Sequence, residues 1–236
     1  PDAYKVLPEI RKLLLAGKNN EAEALVNANF TCKGPGSGGA QYGCYQVLGN
    51  LHLAFPGDTN APVTNYRRKL NLNDAVTSLR FNRGGVEFQR EMFVSKPDEV
   101  MVLRLTADKS KQISFKATVD RPERFKTVGD GNNGLLMTGQ LDNGTDGKGV
   151  KYAARIRAVN QGGTVSVQGN VLSVSNADEV ILFITAATDY HGFAGRELTN
   201  PMAATLNDLN KATRKSYSSL RKAHIADYQK YFQRVS

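Results

Sequence analysis

The chain has 236 residues, a length that suits one large β domain with a sizeable core, because folding at this size buries roughly 70% of the unfolded surface. Hydrophobic residues make up 40% and charged residues 22% of the sequence, proportions that exclude intrinsic disorder. The net charge is +9, yet the basic residues are dispersed and form no recognisable binding module, so we expect no nucleic-acid partner; we also expect no membrane span, since no apolar run reaches about 18 residues.

Two short helices are predicted near the N-terminus. Apolar residues recur at helical spacing through Leu7, Ile10 and Leu14, which indicates a helix near residues 4–16. The sequence 20–23, Asn-Glu-Ala-Glu, has the form of a capping box, in which the first side chain accepts from the fourth amide. A second helix is therefore predicted near residues 20–29.

A glycine-rich segment follows these helices, flanked by the two cysteines. Residues 34–39 have the letters of a dinucleotide fingerprint, but a helix precedes them and a strand follows, which is the reverse of the order that places phosphate at a helix N-terminus. The segment is interpreted as a loop, and no cofactor is expected. Cys32 and Cys44 either form a disulfide in an oxidising compartment or remain free thiols, and both alternatives stay open.

From residue 46 to residue 188 the dominant period is two, which is typical of half-buried strands. Leu51, Leu53 and Phe55 alternate before a Pro-Gly-Asp turn, and residues 65–70 resume the extended pattern. Short turns separate further strands up to Thr188, which favours antiparallel pairing. The apolar residues 180–184 predict a strand in the middle of a sheet. The sequence therefore predicts a mainly β protein, an antiparallel β-sandwich with helices at both ends.

One predicted strand carries an arginine on its apolar face. Val86, Phe88, Met92 and Val94 share that face, and Arg90 lies among them. A charged side chain in such a position needs a partner. Two alternatives are open: a salt bridge within the sandwich, or a contact with another domain.

Helical periodicity returns from Pro201 to the end of the chain. A largely aromatic stripe is formed by residues three or four apart, with Phe232 beside them: Tyr217, Leu220, His224, Tyr228, Tyr231 and Val235. Such a stripe needs a surface to cover, so five of these residues are predicted to make an interdomain contact: Tyr217, Leu220, Tyr228, Tyr231 and Phe232.

Few residues suit catalysis. The carboxylates lie on polar strand faces or at turns, no histidine pair has metal-ligand spacing, and neither cysteine has a neighbouring base, so no catalytic, cofactor or metal residue is assigned. His191 and Asp189 are weak candidates, because they follow a strand end, where loops carry function more often. Residues 142–147 open like a calcium loop, but position twelve is Ala153 rather than glutamate, so a turn is predicted.

Several phrases of this sequence, in their order and spacing, resemble the N-terminal domain of glycoside hydrolase family 95, the α-L-fucosidases. The phrases are YQVLGNL (45–51), TNYRRKLNLN (64–73), FQREMFVS (88–95), PDEV (97–100), RLTA (104–107), HIADY (224–228) and FQRVS (232–236). No single phrase is a mechanistic motif, but together they span nearly the whole chain.

The resemblance implies a β-sandwich of the glycoside hydrolase super-sandwich type over residues 1–199, with upstream strands missing, and a helical linker over residues 200–236. It also implies that both ends are cut within a longer protein, which continues into an (α/α)6 barrel holding the catalytic residues. That protein would remove terminal α-L-fucosyl or α-L-galactosyl residues with inversion. The implied partners are the catalytic domain of the same chain and fucosylated glycans, in the periplasm or outside the cell.

Two rival functions remain open on the sequence alone. One is a stand-alone carbohydrate-binding β-sandwich module, and the other is an unrelated secreted adhesion-type sandwich. A sugar-binding module usually exposes aromatic platforms, whereas this chain has no Trp and its predicted strands direct most Phe residues inward. The sequence therefore favours a non-catalytic structural domain.

Overall fold

A computed structural model describes residues 3–30, 46–57, 61–191 and 196–235 of the chain. The chain divides into two compact units, Pro1–Tyr45 and Gln46–Ser236. Cys32, Cys44 and the glycine-rich segment lie outside the described residues, and the disulfide stays a prediction. Among the described residues, no helix is both long and apolar enough to cross a membrane.

The first unit contains two helices, as predicted. A 3-10 turn, Ala3–Val6, leads into α1 (Leu7–Leu15), and α2 (Asn19–Asn29) follows. The predicted capping box is wrong, because α2 begins one residue early, with Lys18 as its N-cap and no capping side chain. Asn20 is therefore already helical, and Lys18 instead forms an ion pair with Glu21 at 3.1 Å.

The second unit is a two-sheet sandwich. Its strands are β1 (Asn50–Ala54), β2 (Val63–Asn71), β3 (Val76–Arg83), β4 (Val86–Ser95), β5 (Val100–Ala107), β6 (Ile113–Asp120), β7 (Phe125–Gly129), β8 (Gly134–Gln140), β9 (Lys151–Gln161), β10 (Thr164–Gln168), β11 (Val171–Ala177) and β12 (Glu179–Thr188). The smaller sheet has the order β1-β6-β11-β10, and the larger has the order β2-β3-β4-β5-β12-β9-β8-β7. Every described strand pair is antiparallel, so the predicted fold class is confirmed.

The inter-sheet core lies between the smaller sheet and the strands β5, β12, β9 and β8. Phe115 and Leu172 of the smaller sheet pack with Leu105, Ile156 and Leu182 of the larger one, and all five are almost fully buried. The predicted middle position of residues 180–184 is confirmed, since β12 pairs with β5 on one side and β9 on the other. Complete burial of side chains this size stabilises a fold by roughly 1.5–3 kcal/mol each.

The predicted inward face of β4 is wrong at its second half. Met92 is 37% exposed and Val94 is 59% exposed, whereas Phe93, on the opposite face, is buried. The reason is that the strands of the smaller sheet build their core against β5, β12, β9 and β8 and leave this end of the larger sheet uncovered. Alternation in β4 therefore identified two faces but not which of them is buried.

Helices cover the other face of the larger sheet. They are α3 (Pro201–Ala212) and α4 (Tyr217–Phe232), each capped by a side chain that accepts from the third amide of its helix, Asn200 for α3 and Ser216 for α4. A second core forms here from Val76, Phe93, Val100, Val102, Phe183, Leu209, Ala212 and Leu220. This apolar core joins α3 and α4 to the sandwich in one compact unit. The boundary between compact units therefore lies near residue 45, whereas the sequence places a boundary between residues 199 and 200.

Leu220→Ala should lower the free energy of unfolding by about 2–5 kcal/mol, because Leu220 is fully buried in the second core and its truncation leaves a cavity. The matched control is Leu206→Ala on α3, where the leucine is partly exposed and the expected loss is about 1 kcal/mol or less. Urea unfolding of both variants measures the difference. Equal losses would contradict the helical layer described above.

Candidate functional site

The aromatic stripe of α4 packs on the sandwich of this chain. Phe93, His224, Tyr228 and Phe232 form a continuous stack, with ring centroids 5.0, 6.4 and 5.2 Å apart in that order. The Tyr228 hydroxyl donates to the Leu72 carbonyl oxygen at 2.8 Å. Much of the stripe, together with the fully buried Leu220, thus has its partner inside the chain.

Tyr231, by contrast, is 63% exposed, and the Arg234 guanidinium lies 5.7 Å from its ring centroid. The interdomain contact predicted for Tyr217, Leu220, Tyr228, Tyr231 and Phe232 stays a prediction. Of these five, Tyr231 offers the largest exposed surface for it.

Tyr217, at the start of α4, belongs to a charged network on the larger sheet. Its hydroxyl donates to Glu91 Oε2 at 3.1 Å, and the Arg104 guanidinium lies 4.7 Å from its ring centroid. Burial raises the pKa of Tyr217, and the negative charge of Glu91 raises it further. Arg104 in turn donates to Glu179 at 2.5 Å, a bond that raises the pKa of Arg104. Tyr217, Glu91, Arg104 and Glu179 are thus linked to one another, which joins the start of α4 to the larger sheet.

A second buried network ties the helices to the turn between β4 and β5. Asp98 accepts from the Ser95 hydroxyl at 2.7 Å and from Lys215 Nζ at 2.5 Å. Arg196 pairs with Asp208 of α3 at 2.7 Å. Sequence reasoning missed these links. Asp98 and Lys215 are more than a hundred residues apart, and no local pattern in the sequence marks such a pair.

The two weak site candidates differ in environment. Asp189 Oδ1 accepts from the Lys151 amide at 2.7 Å, and the Asp189 amide donates to the Lys151 carbonyl at 3.1 Å. Asp189 therefore closes the end of the β12–β9 pairing. His191 is exposed two residues later, and no hydrogen bond from its ring is found among the described residues. The structure does not join the two into a catalytic pair, and their site role stays untested.

Most carboxylates of the described residues already act as structural acceptors. Asp130 pairs with the buried Arg155 at 2.6 Å, and Asp142 pairs with Arg124 at 2.5 Å beside the 142–147 turn. Asp120, on the outer face of the smaller sheet, accepts from His52 and Asn50, and these bonds lower its pKa. The described residues include no group of three or more metal-ligating side chains. A glycosidase needs two carboxyl groups facing one sugar, and none of the arrangements above provides them.

Arg90 lies in an open groove on the uncovered end of the larger sheet. We name this the aromatic groove; it has a volume of about 560 Å³ and is lined by Phe55, Pro56, Val63, Tyr66, Leu79, Phe81, Arg83, Phe88, Arg90, Lys111, Gln112 and Ser114. The Arg90 guanidinium lies 4.2 Å from the Phe55 ring centroid and 5.5 Å from that of Phe81. Its partners are therefore aromatic rings, and the salt bridge considered from the sequence is absent among the described residues. The sequence showed the arginine but not the groove, which forms only where two sheets of unequal width meet.

Tyr217→Phe should change how stability depends on alkaline pH. The folded-state pKa of Tyr217 is raised above its ordinary value of 10.0, so its contribution is present below about pH 10 and is lost as pH rises further. The wild type should therefore lose stability relative to Tyr217→Phe as pH rises above about 10, in urea unfolding at several pH values. Tyr231→Phe, at an exposed tyrosine, is the control, and the same divergence in both variants would refute the network's role.

Comparisons with known proteins agree with this architecture. A family model described as glycosyl hydrolase family 65, N-terminal domain, matches residues 1–193. The chain is 30% identical to a protein named alpha-L-fucosidase 2 from Arabidopsis thaliana, over 99% of this chain and 30% of that protein. It is 31% identical to a probable alpha-fucosidase A from Aspergillus niger, over 83% of this chain and 26% of that protein.

The chain thus spans less than a third of the length of these relatives. Among solved structures, a putative kojibiose phosphorylase from the human microbiome superposes with a TM-score of 0.52, covering 78% of this chain and 27% of the other. The two are 13% identical, so this match supports the fold alone. The matched sandwich and the family model together lead to one conclusion: the chain belongs to the family of glycosyl hydrolase family 65 N-terminal domains, and its sequence is similar to part of two proteins named as α-fucosidases.

Proposed function

We propose that this chain is the non-catalytic N-terminal domain of a glycoside hydrolase that removes terminal α-L-fucosyl or α-L-galactosyl residues from glycans with inversion. The observation that carries the proposal is the match of 99% of the chain to only 30% of an α-L-fucosidase. An alignment of this kind leaves room in the longer relative for a separate catalytic domain. The family 95 resemblance supplies the barrel as that domain.

The chemistry of the described residues supports a role without catalysis. Inverting hydrolysis requires a general acid and a general base whose carboxyl groups are about 6.5–9.5 Å apart across the sugar. Here Asp98, Asp130 and Glu179 are held by cations of the same chain, and Asp189 is held by a backbone amide. Such carboxylates build the fold, and the proposed role is to pack on the barrel and hold it.

The proposed contact surface is the exposed side of α4. Ser218, Lys222 and Ile225 lie beside Arg104 and Arg221 around a shallow depression on this helix. Packing of a barrel here would cover the side of α4 that faces away from the sheet, while Leu220 and His224 keep their present partners. The proposal includes secretion to the periplasm or the cell exterior, as the resemblance implies.

The activity test compares this chain with a longer protein that continues into the proposed barrel, using a 2'-fucosylated oligosaccharide. Fucose release is expected from the longer protein and not from the chain. In the longer protein, Asp189→Asn and His191→Ala should retain activity, because neither touches the proposed reacting groups. Fucose release by the chain alone would overturn the proposal and direct attention to Asp189 and His191.

A further inference from the structure

The aromatic groove combines stacked rings with a concave shape. Phe81 and Phe88 stack with centroids 5.3 Å apart and an angle of 21° between their planes, and they face the groove with Leu79. Tyr66 of the edge strand β2 is 62% exposed at its border. Phe55 packs on the core residue Phe115 at 5.6 Å, which fixes the opposite wall. The groove is thus a preformed, largely aromatic surface, in which Tyr66 is the most exposed ring.

Among the described residues, no carboxylate pairs with the cations of the groove. Arg83, Arg90 and Lys111 line it, and the described lining includes no Asp or Glu. Elsewhere in the unit, half-buried arginines do have a carboxylate partner: Arg104 pairs with Glu179 at 2.5 Å, and Arg155 pairs with Asp130 at 2.6 Å. The groove thus contains basic side chains without a carboxylate partner among the described residues, in a protein where Arg104 and Arg155 are paired. Such a site is suited to an anionic ligand.

Two further observations point to the same part of the groove. The Nε atom of Arg83 is buried and makes no hydrogen bond among the described residues; the same holds for Nε of Arg104 and Arg155, but those two arginines have a carboxylate partner and Arg83 has none among these residues. Arg83 and Arg90 both line the groove; burial lowers the pKa of Arg90, and repulsion from the positive charge of Arg83 lowers it further. A bound anion would offset this repulsion.

We propose that the aromatic groove binds an acidic glycan, with a uronic acid carboxylate at Arg83 and Arg90 and a sugar ring on the aromatic faces. An arginine guanidinium can bind a carboxylate through two parallel hydrogen bonds. Aromatic side chains present a large apolar face on which a sugar ring can pack. Gln112 and Ser114 at the groove wall provide polar groups for hydroxyls. The choice of a glycan rests on the proposed function, whereas the anion site rests on the groove alone.

Binding is measured by calorimetry at low salt with the 236-residue chain. The probes are trigalacturonic acid, its fully methyl-esterified form, and triglutamate. The acid should bind, the ester should bind at least about tenfold more weakly because the charge is lost, and added salt should weaken only the acid. Equal binding of acid and ester would overturn the proposal, and so would preferential binding of triglutamate, which would indicate an acidic peptide instead.

Substitutions then locate the site. Arg83→Gln should weaken trigalacturonic acid binding by about tenfold or more, as loss of charged hydrogen bonds does. Arg80→Gln is the matched control, because Arg80 lies on the same strand but bonds Gln89 and Glu87 on the opposite face, and its effect should stay below about twofold. If Arg83→Gln is misfolded, as shown by the loss of a cooperative unfolding transition, Lys111→Gln replaces it. Lys111 also lines the groove, and its side chain is exposed, so its substitution should not disturb the fold. Equal losses in Arg80→Gln and the groove variants would refute the site.

Failure of this inference can be separated from failure of the proposed function. A longer protein that releases fucose, while the chain binds no trigalacturonic acid, removes the groove proposal alone. Binding that depends on Arg83 without fucose release keeps the groove as a glycan site and removes the fucosidase assignment.

Discussion

The structure depends on burial of the strands β5 and β12 on both faces. On one face, Leu105 and Leu182 pack against the smaller sheet, and on the other, Val102 and Phe183 pack against α3 and α4. A sheet covered on both sides requires three layers, so neither the smaller sheet nor the helical segment is an accessory. The position of every other feature, from the charged networks to the open groove, follows from how far each layer extends over the larger sheet.

Charged groups fix the helical layer in register over that sheet. Asp98 with Lys215, Asp208 with Arg196 and Glu91 with Tyr217 each join a strand or loop of the sandwich to the helical segment. Apolar packing alone is tolerant of sliding, whereas hydrogen bonds to charged groups are directional and are costly to leave unmade when buried. These links give a catalytic domain proposed to follow α4 a fixed starting direction, which suits a domain whose role is to support another.

The smaller sheet does not cover the whole of the larger sheet, and the uncovered part carries aromatic and basic side chains. The inter-sheet core ends before β2 and β3, which leaves the aromatic groove with Arg83 and Arg90 at its floor. On the same hairpin Arg80 is paired with Glu87, whereas Arg83 and Arg90 have no carboxylate partner among the described residues. The carbohydrate-binding alternative considered from the sequence had lacked an aromatic platform, and the proposed glycan site would use the rings of this groove in place of Trp.

The sequence by itself determined the element types and the architecture. The period of two from residue 46 to residue 188, with turns at Gly84-Gly85 and Gly169-Asn170, specified antiparallel strands. The apolar residues 180–184 specified the central strand. Both signals are readable because alternation and local propensity are encoded within a few neighbouring residues. Strand β8 was missed, since residues 135–137 are buried on both faces and show no alternation. Its partner β7, a short and mostly exposed strand, was missed as well.

Only the tertiary structure decided which faces are buried. Alternation in β4 places Met92 opposite Phe93 but cannot tell which of them meets another layer, since that depends on the width of a sheet built from distant segments. The same limit applies to the stripe of α4, whose partner proved to be a strand some 130 residues earlier, at Phe93, and to Arg90, whose rings come from Phe55 and Phe81. Contacts between distant segments leave no spacing in the sequence, and it is these contacts that form both the helical layer and the groove.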